Sequence, residues 1–284
     1  LSASSLEISH ADCREYYFIQ KRIMRLNTVF LLLIIASIGL SGCSSNPKKE
    51  SSEQELYEAA KKSIKLRNFP QATLALEELE SRFPFGKYAE QAQLDLIYAR
   101  FSGLDLDGAI LACDRFIRLH PQSPSVDYAF YTRGIANYSL DLGISSQYFT
   151  MVDVSSRDPG HMRLAFRDFS ELLNRFPDSP YASDAQKRMI QIRNNLSQYE
   201  LHAARYYIKR EAFIAAANRA AFVVKNFPNT PATEDALIMM VELYRQLNLP
   251  SQADDALAVL KANFPKGKGF DDEQNFVPLH VLKH

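Results

Sequence analysis

A short motif returns five times along this chain at one internal spacing, and that recurrence constrains the fold more than any other feature. Arg82-Phe83-Pro84, Leu119-His120-Pro121, Arg175-Phe176-Pro177, Asn226-Phe227-Pro228 and Asn263-Phe264-Pro265 each follow an alanine placed twelve residues before the proline: Ala72, Ala109, Ala165, Ala216 and Ala253. Successive prolines stand 37, 56, 51 and 37 residues apart, so the unit is about 37 residues with two insertions of roughly 19 and 14. A period of this length implies a solenoid of stacked supersecondary units. Each string between prolines reads as two amphipathic helices, for example Glu200–Ile208 and Phe213–Val224. Alanine lets two helix backbones approach closely. Proline closes the second helix because the residue before it is pushed out of the helical region. Ser123-Pro124, Ser179-Pro180 and Thr230-Pro231 are expected to open the next helix, with a hydroxyl at the N-cap and proline in the first turn. Asp127, Asp184, Glu234 and Asp235 near those starts favour the helix dipole. No strand-like alternation of useful length appears. The expected fold class is all-α, a solenoid of five helix-turn-helix repeats.

The unit resembles the tetratricopeptide repeat: two helices, a small residue in the second, and a closing proline. The fourth unit matches best, with Ala204, Tyr207 and Ala216 in frame, while the absence of Trp and the extra three or so residues per unit depart from the pattern. The array is expected over residues 56–265, with repeats ending near 84, 121, 177, 228 and 265, followed by an irregular tail over 266–284. The two insertions differ in kind. Tyr181 to Arg210 contains neither Gly nor Pro and reads as one lengthened helix. Gly143 to Gly160 reads as a long irregular segment whose Tyr148, Phe149 and Met151 either pack on their own repeats or touch a partner.

The leader locates the chain. Lys21, Arg22 and Arg25 precede an uncharged run from Leu26 to Gly42, which ends Leu40-Ser41-Gly42-Cys43. A basic cluster followed by an apolar core of about a dozen residues is what secretion machinery reads, whereas a spanning helix needs roughly 20. The ending resembles a bacterial lipobox, in which the cysteine is acylated and becomes the first mature residue. The competing readings are a short membrane anchor, for which the run is too brief, and a buried core helix, against which Lys48, Lys49 and Glu50 follow at once. Residues 1–42 are therefore expected to be a start that includes an over-extended or long n-region (Leu1 to Ile23) plus the signal peptide. Residues 43–55 are expected to be the lipidated Cys43 and a polar, flexible tether.

Composition excludes other classes. The chain carries 33 basic and 33 acidic side chains, and a net charge of zero argues against a nucleic-acid binder. Three cysteines cannot staple a disulfide scaffold, and Cys113 within Ile110–Phe116 sits on an apolar helical face as a structural thiol. No glycine-rich phosphate loop, nucleophile elbow or His-Glu-x-x-His motif occurs, and the histidines are scattered. His161 near Asp153 and Asp158 reads as a helix-start detail rather than a metal site. No catalytic residue, cofactor or metal is expected. Glu77-Glu78 and Asp254-Asp255 read as solvated faces.

Leader, tether, five repeats, Arg175–Ala182 (Arg-Phe-Pro-Asp-Ser-Pro-Tyr-Ala) and Asp158–Phe169 together resemble the BamD family, also called ComL, from the leader to about Phe264. That resemblance implies a lipoprotein on the periplasmic face of the outer membrane, in the β-barrel assembly complex. The implied partners are a periplasmic POTRA domain of the barrel subunit BamA, other Bam lipoproteins and unfolded outer-membrane proteins. It places a salt bridge to that POTRA domain at Asn218-Arg219. The plain reading of Arg219 is a surface arginine, or one paired inside the array with Glu242 or Asp235. Tyr98, Phe101, Tyr128, Tyr131 and Tyr138 stand at helical spacings in the first three repeats; those left exposed would line a groove for an extended peptide, as in the family's substrate-binding half. Another periplasmic repeat lipoprotein, acting as a cell-envelope or peptidoglycan-associated scaffold, and an enzyme with a repeat domain are the alternative classes; the missing acid cluster argues against the enzyme. If Cys43 carries lipid, Cys43→Ser should leave the leader attached or release soluble protein, and intact-mass analysis of membrane fractions reads the outcome directly.

Overall fold

The computed structural model describes residues 51–146 and 158–278. Within them the chain forms α1 (Glu53–Lys65), α2 (Phe69–Arg82), α3 (Ala89–Ser102), α4 (Leu106–Leu119), α5 (Val126–Ser146), α6 (Gly160–Arg175), α7 (Ala182–Lys209), α8 (Phe213–Asn226), α9 (Ala232–Gln246) and α10 (Pro250–Asn263). Each helix packs on the next, and α3 also meets α5 and α7 meets α9, as first helices of neighbouring repeats do. The fold is all-α. Ala72, Ala109 and Ala165 and Ala216 are fully buried and Ala253 nearly so, which places the recurring alanine at the helix contact in every unit.

Local chemistry sets the helix ends. Ser52 and Glu55 form a capping box on α1, with Ser52 Oγ accepting from Glu55 N at 3.2 Å and Glu55 Oε2 accepting from Ser52 N at 2.8 Å. Asn68 and Asp105 cap α2 and α4 through their side-chain oxygens. Phe83, His120, Phe176, Phe227 and Phe264 end the second helices with φ between −133 and −127°, each still donating its N–H to the carbonyl four residues back. The following proline requires that departure from helical geometry. In repeats one, two, four and five the turn between helices places a non-glycine residue at positive φ: Arg67, Leu104, Glu211 and Asn248, between 55 and 63°. There Asn68, Asp105, Ala212 and Leu249 donate to the carbonyl five residues earlier, the bond of a Schellman motif.

The proline turns do not cap as expected. The helices begin later, at Val126, Ala182 and Ala232. Ser123 and Ser179 hydroxyls accept from the N–H two residues on, at 3.2 Å each, which closes a lead-in turn rather than an N-cap. Thr230 donates to Phe227 O at 3.0 Å instead. First-turn acids do more than complement a dipole, because they bond the turn that follows the repeat's closing proline. Glu53 accepts from Tyr88 N at 2.7 Å, Glu90 from Ser123 Oγ at 2.7 Å, Asp127 from Ser179 Oγ at 2.7 Å and Glu234 from Gly269 N at 3.3 Å.

The second insertion is a lengthened helix: α7 has 28 residues against 14 in α3. The first differs from expectation, since α5 runs through Gly143 to Ser146. A lone glycine weakens a helix by about 1 kcal/mol without ending it. Tyr148, Phe149 and Met151 lie outside the described residues. Residues 266–278, expected to be an irregular tail, form a cap: Phe270 bridges Phe276, both lie on Leu237, Ile238 and Leu260, and the Arg245 guanidinium sits 4.8 Å over the Phe276 ring.

The core continues along the array in successive apolar clusters, one over repeats one and two, one over repeats two to four and one over repeats four and five. Gly134 in α5 faces the Phe169 ring of α6, where an added Cβ would stand 2.6 Å from a ring carbon, so only glycine admits this approach. Ala216 lies among Leu201, Ala204, Ala220 and Val223 without room for a larger group. Ala216→Phe should cost about 1–3 kcal/mol by overpacking. Repeats four and five should exchange amide hydrogens first, because a solenoid is held by nearest-neighbour interfaces; a melting curve with hydrogen exchange checks both.

Candidate functional site

Two regions carry exposed, chemically distinct groups: an aromatic and charged face between repeats three and four, and a cationic face on repeats four and five. In the first, α5 presents tyrosines one turn apart and α7 answers with Tyr181, Asp184 and Arg188. Tyr131 stacks on Tyr181 with ring centroids 4.5 Å apart and planes 18° apart, and Tyr128 lies 6.0 Å from the same ring. The Tyr131 hydroxyl donates to Asp184 Oδ2 at 2.8 Å. Arg188 bonds the same carboxylate oxygen and holds its guanidinium 5.6 Å over Tyr138. Burial pushes the Tyr128 hydroxyl up to about 12, so it stays protonated and able to donate. Burial alone would raise the Asp184 carboxyl, but the Arg188 and Tyr131 bonds outweigh it and hold the group below the usual carboxylate range.

The five aromatic groove residues thus divide. Tyr128, Tyr131 and Tyr138 pack half-buried against one core cluster, with edges open. Tyr98 is 45% exposed and meets Phe69 edge-on at 6.2 Å, while Phe101 is half-buried on the same helix. Sequence reasoning missed Tyr181, and it missed an equivalent stack at the start of the array, where Tyr57 lies 4.6 Å from Tyr88 at 16°. The signal was present, because Tyr88 and Tyr181 both stand four residues after a repeat proline. Lys61 lies 3.4 Å from Asp95 and 5.9 Å from the Tyr57 ring, so this stack too is flanked by a cation and an acid.

On the second face Arg219 pairs inside the array, but with Glu200, not with Glu242 or Asp235. Arg219 Nη1 is 2.8 Å from Glu200 Oε2, and Arg163 Nη2 is 3.6 Å from the other oxygen. Position along α8 could not reveal this, because Glu200 comes from the lengthened α7, whose reach depends on the insertion. Asp235 instead bonds Lys268 and lies 3.9 Å from Arg205. Glu200 is almost fully enclosed, yet the Arg219 side chain is 43% exposed and its guanidinium lies 6.0 Å from the Tyr207 ring. Ala220 and Val223 are buried beneath it. Asn218 is exposed beside Ile214 and lines a shallow depression with Phe213 and Leu247.

Other chemistry is absent from the described residues. No group of three His, Cys, Asp or Glu side chains could hold a metal there. His161 Nδ1 lies 3.1 Å from Asn137 Oδ1, at the start of α6. Cys113 is fully enclosed and burial pushes its thiol up, the opposite of what a nucleophile needs. Glu77 is not merely solvated, since it bonds Arg100 across α2 and α3. Cys43 lies outside the described residues.

Comparison with known proteins identifies the family. The family YfiO, described as outer membrane lipoprotein, matches residues 49–260. The chain belongs to this family. It is 39% identical over 244 residues to the outer membrane protein assembly factor BamD of Neisseria meningitidis serogroup B, covering 83% of this chain and 91% of that protein. The BamD of Vibrio cholerae is 38% identical over 242 residues, covering 84% and 99%. That of Pasteurella multocida is 35% identical over 262 residues, covering 92% and 100%.

The Tyr131–Asp184–Arg188 clasp has a definite acid limb. With a depressed folded value, its contribution is complete above the unfolded carboxylate value of about 3.9 and fades as pH falls through the lower folded one. Asp184 is partly exposed, so the effect should stay below about 1 kcal/mol. Thermal melts from pH 5 to pH 3 should show wild type losing more stability than Asp184→Asn.

Proposed function

We propose that this chain is a lipid-anchored scaffold on the periplasmic face of the outer membrane, in the complex that assembles β-barrel proteins. It binds the barrel subunit BamA through repeats four and five, meets the other Bam lipoproteins, and receives unfolded outer-membrane proteins on repeats one to three. Membership of the YfiO family, with relatives named assembly factors over nearly their whole length, carries this reading. The arrangement of the array supports the division of labour. Stacked tyrosines flanked by a cation and an acid suit an extended peptide, with rings for its apolar side chains and donors for its carbonyls. The test is photocrosslinking: a barrel-derived peptide ending in an aromatic residue should label repeats one to three, and labels confined to repeats four and five would reverse the assignment.

Arg219 is the anchor for an acid on the POTRA domain. Its fork grips a carboxylate with two bonds, and only part of it is committed to Glu200. Asn218 beside it adds a neutral donor and acceptor. A partner's acid would compete with Glu200 for Arg219, and Arg163 would then remain to neutralise Glu200. Arg219→Ala should weaken capture of the barrel subunit by at least about tenfold, near 1.4 kcal/mol. It should also lower the melting temperature slightly, because Glu200 keeps one cation instead of two. Arg219→Lys should restore most of the melting temperature and less of the binding. Titration of the purified partner against the detergent-solubilised chain reads both.

A further inference from the structure

Six residues after the recurring alanine, each second helix carries an exposed side chain, and its chemistry changes along the array. In repeats one to three it is Glu78, Arg115 and Glu171, and each is in an ion pair: with Arg82 at 2.9 Å, Glu80 at 3.1 Å and Arg175 at 3.5 Å. In repeats four and five the same register holds Phe222 and Val259, 44% and 43% exposed. Val259 borders a cleft with Val224 and Leu237, between α8, α9 and α10. Phe222 stands three residues after Arg219, so ring and guanidinium share one face of α8, with Cβ atoms about 5–6 Å apart.

The Phe222 ring is held in place. It meets Phe227 edge-on, with centroids 6.0 Å apart. Phe227 is fixed in turn, because its N–H bonds Val223 O at 2.8 Å and its carbonyl accepts from the Thr230 and Thr233 hydroxyls at 3.0 and 3.1 Å. Arg193 donates to Pro228 O at 2.8 Å and ties the same turn to α7. The charged side chains of α8 are Arg219 and Lys225, both cations. Beside Arg219, α6 and α7 contribute Arg163 and Glu200, and of these three side chains the acid is the one enclosed. The surface complementary to this face carries a carboxylate next to an apolar side chain.

An arginine–carboxylate pair open to water adds little affinity, whereas one from which water is shut out adds much. Arg219 is half open, so its value as an anchor depends on what covers the bond. We propose that Phe222 is that cover: its ring packs on an apolar side chain of the POTRA surface and excludes water from the bond between Arg219 and the partner's acid. This rests on the reading of Arg219 as the anchor. A ring already held by Phe227 loses little freedom on contact, and an aromatic beside an arginine is the usual composition of an interface hot spot.

The test titrates the purified barrel subunit against the detergent-solubilised full chain. Phe222→Ser should weaken binding by about tenfold, as the loss of a hot-spot side chain does. Phe222→Leu, which keeps an apolar cover, should recover most of it. Adding Phe222→Ser to Arg219→Ala should cost far less than it does alone, since no bond remains to be shielded. The affinity of Phe222→Ser should also fall more steeply than wild type as sodium chloride is raised, because the exposed bond is screened. Glu78→Ser, the same register in repeat one, should bind as wild type. If Arg219→Ala weakens binding and Phe222→Ser does not, the cover is refuted and the anchor stands. If neither weakens it, the anchor reading fails and the cover falls with it. Fully additive losses in the double variant, with an unchanged salt dependence, would make the ring an independent contact and overturn the proposal. So would sedimentation showing that wild type alone is a dimer which Phe222→Ser dissociates, because the ring would then serve a second copy of this chain.

Discussion

The hydrogen bond from a first-turn acid to the turn opening the next repeat is the interaction on which the rest of the array depends. A helical hairpin of this size cannot bury its apolar face alone, so its stability lies in the interface with its neighbour. Alanine at the contact makes that interface close but leaves it smooth, with little to stop one hairpin sliding on the next. The acids supply the register. Glu53, Glu90 and Asp127 each reach a donor in the proline turn that opens the following repeat, and Glu234 reaches Gly269 in the terminal cap. Each bond is charge-assisted and worth roughly 1.5–3 kcal/mol where water is excluded, less at these partly open edges.

Repeat four breaks the pattern, and the break coincides with the lengthened helix. Asp184 takes the place of the first-turn acid in α7 but turns to Tyr131 and Arg188 instead of the next proline turn. The turn at Pro228 is bonded by Arg193, through its carbonyl, from the middle of the same long helix. Four extra turns place the first turn of α7 too far from the Pro228 turn for a carboxylate to reach, and a long arginine further along takes over. The acid thus freed joins the tyrosine stack, so the insertion helps create the mixed aromatic and charged face between repeats three and four.

Legibility in the sequence followed periodicity. Spacing of proline and alanine was enough for the all-α class, for the buried alanines and for helix α7, because each rests on a rule that acts within a few residues. What spacing missed lies in contacts between helices. Arg219 has its partner on α7, nineteen residues back, and Tyr57 and Tyr131 have theirs in the next repeat. The same limit explains the hydroxyls at Ser123 and Ser179: a hydroxyl before proline satisfies either an N-cap or a lead-in turn, and the choice depends on the acid of the preceding repeat to which it donates. Gly143 shows the converse error, where a local rule was too strong and the helix continued through it.

Glu200 gathers these strands into one electrostatic argument. A carboxylate so enclosed would be expensive without compensation, and α6 and α8 each supply an arginine to it. Two cations against one acid leave a surplus positive charge, and the exposures say where it resides: both arginines are about half open to solvent while the acid is not. Charge neutralisation inside and cationic character outside are therefore the same arrangement seen from two sides. An acid arriving from another chain meets a guanidinium already held in place by Glu200 and by the Tyr207 ring, so little side-chain freedom is left to lose on contact. It also does not leave Glu200 bare, because Arg163 stays behind. A single buried acid shared by two arginines can thus hold three helices in register and present one of those arginines outward.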